Sequence, residues 1–111
     1  MVNPAVYEKL IEVAKAKKTI AYEELAQAAD LGLEIEDDMQ SLGEMLDAIA
    51  DQEIAAGRPL LPIVVVQAMG NKPGGGLFKY ARQKGIQKTD NLTFFVSELR
   101  RVYDYWSDKR G

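Results

Sequence analysis

The 111-residue sequence predicts one α+β domain spanning 1–111, and three observations carry that prediction. Apolar residues recur at helical spacing near both ends and in the middle of the chain. A short apolar run at 60–67 (Leu-Leu-Pro-Ile-Val-Val-Val-Gln) has the length and β-branched content of a buried strand. Residues 69–76 (Met-Gly-Asn-Lys-Pro-Gly-Gly-Gly) are too rich in glycine for anything but a loop. The expected order is helix, stub of strand, helix, turn, helix, hairpin and an added C-terminal helix. Its first six elements are those of a winged helix-turn-helix, with three N-terminal helices and the glycine-rich β-hairpin as the wing.

Each element has its own local cause. Asn3 and Pro4 start the first helix, Asn as N-cap and Pro at the first helical position. Val6, Leu10, Ile11 and Ala14 follow on one face, and Lys15, Lys17 and Lys18 suit the negative end of the dipole, so the helix is expected to reach about Lys17. Thr19 and Ile20 favour strand but supply only a stub. Residues 22–29 read as a second helix with Leu25, Ala26 and Ala29 inward, broken by a turn at 30–33 around Gly32. Residues 36–56 carry the strongest helical stripe: Met39, Leu42, Met45 or Leu46, Ile49, and Glu53 or Ile54. Asp37 and Asp38 occupy its first turn and Gly57 closes it. The run 60–67 is expected to be an edge strand or to start after Pro62, with 77–81 as its hairpin partner. Asn91 or Thr93 opens the last helix, where Phe95, Leu99, Val102 and Trp106 share a face. Met39, Leu42, Leu46, Ile49, Val64, Val66, Phe95, Leu99 and Trp106 are expected to form the core.

Composition removes whole classes of chemistry. There is no histidine and no cysteine, which excludes cysteine nucleophiles, Ser-His-Asp triads, histidine bases and zinc sites with nitrogen or sulfur ligands. Ser41, Ser97 and Ser107 lie in neither a Gly-x-Ser-x-Gly elbow nor a Ser-x-x-Lys pair. Gly74, Gly75 and Gly76 are not followed by the Lys-Ser/Thr of a phosphate-binding loop. Glu34, Glu36, Asp37 and Asp38 lack the spacing of a calcium loop and are better explained by a helix start. A non-enzymatic binding module without metal or cofactor is therefore expected. The longest apolar run is far shorter than the ~20 residues of a membrane span, and Met1-Val2-Asn3-Pro4 has no secretory pattern. A cytoplasmic setting fits the lack of cysteine.

Two stretches carry a resemblance. Thr19-Ile20-Ala21-Tyr22-Glu23-Glu24-Leu25-Ala26 looks like the strand-then-helix entry of winged-helix proteins, among them the alkyltransferase-like DNA-repair proteins. The run 57–66 (Gly-Arg-Pro-Leu-Leu-Pro-Ile-Val-Val-Val), followed by Lys72-Pro73-Gly74-Gly75-Gly76-Leu77-Phe78, resembles an uncharacterised family of small bacterial proteins with a Pro-Leu-Leu strand and a Pro-Gly-x-Gly-Phe turn. The likeness covers most of residues 5–85 and implies a fold only. The alkyltransferase chemistry does not carry over: those enzymes have Pro-Cys-His-Arg where this chain reads Leu61-Pro62-Ile63-Val64.

Charge is strongly segregated. Residues 21–53 hold eleven acidic and no basic residues; residues 54–89 hold six basic (Arg58, Lys72, Lys79, Arg82, Lys84, Lys88) and no acidic ones. An acidic third helix repels phosphates, so base reading by that helix is disfavoured. The hairpin is the opposite case. Lys72, Gly74, Gly75, Gly76, Lys79, Arg82 and Lys84 form the expected nucleic-acid contact, weak and nonspecific, through cations and open backbone N–H groups. The alternative partner is a basic protein docking on the acidic helical face of residues 34–53, where Asp47 and Asp51 are the named contacts. The aromatic C-terminal helix, with Tyr105 off its apolar stripe, is a further contact for a partner or a second copy.

Overall fold

The computed structural model describes residues 4–28, 35–67 and 75–107, without the side chains of 35–41. Among them lie five α-helices: α1 (Pro4–Lys15), α2 (Tyr22–Ala28), α3 (Ile35–Ala55), α4 (Gly75–Gln83) and α5 (Asn91–Ser107). The only strands among these residues are β1 (Ile20–Ala21) and β2 (Val65–Val66), and a 3₁₀ turn, Leu61–Val64, leads into β2. The strands pair in parallel, Ile20 beside Val65 and Ala21 beside Val66. Parallel pairing needs a long crossover, supplied here by α2 and α3.

The three N-terminal helices, the strand stub and the C-terminal helix lie where the sequence places them. No hairpin wing forms among the described residues, which overturns the α+β winged helix-turn-helix reading: the chain is predominantly helical. Residues 77–81, expected as a strand, lie inside α4. Five residues are too few to separate a period of two from one of 3.6. Within α4, Phe78, Tyr80 and Ala81 are buried while Lys79 and Arg82 are exposed. Gly75 and Gly76, expected at a hairpin tip, belong to the first turn of α4; Lys72 and Gly74 lie outside the described residues. The run 60–67 becomes strand only after Pro62, the second of its two expected forms, at Val65–Val66; Pro62 itself occupies the start of the 3₁₀ turn, where its missing N–H costs nothing.

This apolar run is the centre of the molecule. Leu60, Leu61, Ile63, Val64, Val65 and Val66 are all buried, and the 3₁₀ turn touches α1, α3 and α5. Around it close Val6, Leu10 and Ala14 of α1, Leu25 of α2, Leu42, Leu46 and Ile49 of α3, and Phe94 and Val102 of α5. The expected stripe of α3 therefore faces inward; the side chain of Met39 lies outside the described residues. On α5 the inward face is Phe94, Glu98 and Val102, whereas Phe95, Leu99 and Trp106 are only partly buried. The face is rotated because Glu98 has a task inside: its carboxylate accepts the buried Leu60 N–H at 2.8 Å and Arg101 at 2.7 Å. A buried amide facing no acceptor would cost about 1–3 kcal/mol.

Three helices end alike, in a left-handed residue whose successor bonds back to the last helical turn. Gly57 closes α3 at φ 75° and Gly85 closes α4 at φ 72°, both suited to glycine. Lys17 does the same for α1 at φ 55°, with Lys18 N–H bonded back to the Val13 carbonyl at 3.1 Å. Asp90 caps α5 by accepting the Thr93 N–H at 2.9 Å, and these bonds hold its carboxyl below the usual range.

Candidate functional site

The acidic and basic segments of the chain meet along α3 and α4. Glu44, Asp47 and Asp51 recur on α3 at intervals of three and four and are exposed, so they form one outward face. At its C-terminal end, Asp51 accepts a hydrogen bond from the Tyr80 hydroxyl of α4. Lys84 Nζ lies 3.6 Å from the same carboxylate and 5.5 Å from the centre of the Tyr80 ring. One acid of the acidic helix and one base of the basic segment are thus partners within the chain. Glu44 and Asp47 have no ion-pair partner among the described residues.

Among the described residues, Tyr80, Asp51 and Lys84 bring a phenol, a carboxylate and an ammonium group together. Burial first, then the Asp51 carboxylate, pushes the Tyr80 phenol well above its ordinary value, so it stays protonated as a hydrogen-bond donor. Asp51 and Lys84 remain about half exposed, with no closed chamber around them. The trio is a clasp between helices.

Asp47 responds to the field of this face. Partial burial raises its carboxyl first, and the charges of Asp51 and Glu44 raise it further against the pull of Lys84. A carboxyl raised in the folded state binds more protons than the unfolded chain, so stability falls as pH rises through its titration range, from just above 3.8 upward. Asp47→Asn is therefore expected to raise the melting temperature at neutral pH and to leave it unchanged at about pH 3, below both pKa values. Thermal melts of parent and variant at the two pH values check this.

The other expected contacts are distributed less favourably. Lys79, Arg82 and Lys84 are exposed, the first two on α4 and Lys84 just past its end. Arg82 donates to Asn91 Oδ1, which also accepts Gln87 Nε2 at 2.7 Å, so Arg82 is built into the α4–α5 connection. Tyr105 is partly buried and meets Trp106 edge-on, 5.0 Å between ring centres. Glu53, one of two candidates for the end of the α3 stripe, is the inward one and fully buried, while Ile54 is 38 % exposed. No three acidic side chains among the described residues converge as a metal ion would require, and none of the described helices is long and apolar enough to cross a membrane.

Beside the unpaired acids runs an open cleft of about 330 Å³ between α2, α3 and α4. Tyr22, Leu46, Pro62 and Leu77 line it, Glu44 and Asp47 are its acids, and Gly43 and Gly76 complete its walls. Periodicity could not reveal this cleft, because α4 was not legible as a helix. Gly43 is its most unusual component, since a glycine inside a helix costs about 1 kcal/mol relative to alanine. A Cβ added there would meet no heavy atom within 4 Å. Gly43→Ala is accordingly expected to stabilise the fold by about 0.5–1 kcal/mol in denaturant titration.

No family model, curated protein or solved structure matches the chain.

Proposed function

We propose that the chain is a non-enzymatic interaction module whose acidic α3 face binds a basic segment of a partner protein, in a cytoplasmic setting. The observation that carries the reading is the imbalance along α3: Lys84 answers Asp51, while Glu44 and Asp47 are left without an ion pair among the described residues. The Asp47 carboxyl is raised first by partial burial and then by the neighbouring Asp51 and Glu44 charges, a repulsion that an incoming cation relieves. Nucleic acid is the less favoured partner. Lys84 is held by Asp51 and Arg82 by Asn91, and phosphate approaching Lys79 would enter the field of the acidic helix.

The reading is tested by fluorescence anisotropy with a labelled lysine-rich peptide and, separately, a labelled DNA duplex. The peptide is expected to bind at low ionic strength and to dissociate as salt is added. Glu44→Gln and Asp47→Asn should each weaken it by about two- to fivefold, the worth of one exposed charge pair. Retention of the duplex with no binding of the peptide would overturn the proposal.

A further inference from the structure

The cleft beside the acidic face has a composition that its own fold does not demand. Gly43 lies in the interior of α3 and Gly76 in the first turn of α4, and both line the opening. Neither has the left-handed backbone that reserves a position for glycine. Among the described residues a Cβ at either would meet nothing within 4 Å, so none of the described elements needs the room. What the two glycines preserve is the empty space. Leu46, Pro62 and Leu77 give that space apolar walls, and Glu44 and Asp47 give it negative charge.

We infer that this cleft is a docking groove for one lysine or arginine side chain of a basic, partly apolar partner segment. The inference rests on the proposed acidic-face reading and sharpens it. A cationic side chain is amphipathic: its methylene stem seeks apolar surface while its head seeks a carboxylate. The walls of Leu46, Pro62 and Leu77 match the stem, and the Glu44 and Asp47 carboxylates match the head. At about 330 Å³ the volume is at the small end of specific binding clefts, suited to a side chain or two and not to a whole helix. The N-terminus of α4 opposes a cation with about half a positive charge, which two carboxylates outweigh.

The test compares two peptides of equal charge, one alternating lysine with leucine and one alternating lysine with serine, against the full chain. The parent is expected to prefer the lysine–leucine peptide by about tenfold or more. Gly43→Leu and Gly76→Leu, which fill the groove from opposite helices, should each remove about tenfold of that affinity and weaken the lysine–serine peptide as well, because its lysines enter the same groove. Melting curves of both variants should match or exceed the parent's; a glycine variant that unfolds would show that the fold itself needs the residue, and would overturn the inference. Equal binding of the two peptides, unaffected by the glycine variants, would also overturn the groove while leaving the acidic-face reading intact. Failure of either peptide to bind at low salt would end both. A groove occupied instead by a second copy would appear as concentration-dependent self-association lost in Gly43→Leu, again against the inference.

Discussion

Arg58→Ala is expected to destabilise the fold by about 3–5 kcal/mol, the usual result of stripping the partner from a buried charge. Glu53 is fully buried at the end of α3. Its Oε2 accepts Arg58 Nη2 at 2.7 Å and Nε at 3.1 Å, and the Tyr7 hydroxyl of α1 at 3.3 Å. The hydrogen bonds to Glu53 hold the guanidinium in its charged form even more firmly than usual. Without it, one phenol would face a carboxylate far from water, which is a poor substitute for a cation. Burial and that same carboxylate already raise the Tyr7 phenol, so Tyr7 can donate a hydrogen bond but cannot supply charge. Guanidinium titration should show a midpoint shifted far down with the slope unchanged. Glu53→Leu in the Arg58→Ala background should recover much of the loss, because it removes the stranded charge.

Ile63→Ala is expected to cost a comparable amount, about 2–5 kcal/mol. Ile63 is fully buried in the 3₁₀ turn that α1, α3 and α5 enclose. No single helix can shift to fill the space left by its side chain without leaving the others, so the cavity should persist. Against a total stability of about 5–15 kcal/mol, such a loss brings the domain close to unfolding at ambient temperature, which a thermal melt detects directly.

Legibility followed the length of each pattern. The α3 stripe of Leu42, Leu46 and Ile49 spans several turns, and over that distance only a helix brings these residues to one side. The run 60–66 is apolar at every position except Gln67 beyond it, so burial was readable but shape was not: buried strands and buried turns look alike when no polar residue marks an outer face. At Leu77-Phe78-Lys79-Tyr80-Ala81 the same ambiguity holds, and the preceding glycines point to a hairpin tip where the structure has the first turn of α4. In α5 the misplaced face came from Glu98, whose buried carboxylate is chosen by the Leu60 amide and not by hydrophobicity. The acidic face was legible in its charges, since Asp47 and Asp51 belong to the stretch without basic residues and are exposed on α3. Asp51's pairing with Lys84 and the cleft beside Gly43 both depend on α4 lying against α3, a tertiary contact that local pattern does not encode.

Binding of a basic segment on α3 can be followed by mapping amide resonances of the isotope-labelled protein as a lysine–leucine peptide is added. This binding should shift Gly43, Glu44 and Asp47 of α3 and Gly76 and Leu77 of α4 the most, and the shifts should fade as salt is added. Shifts centred on Lys79, Arg82 and Lys88 upon addition of duplex DNA, with the α3 resonances unmoved by the peptide, would contradict it.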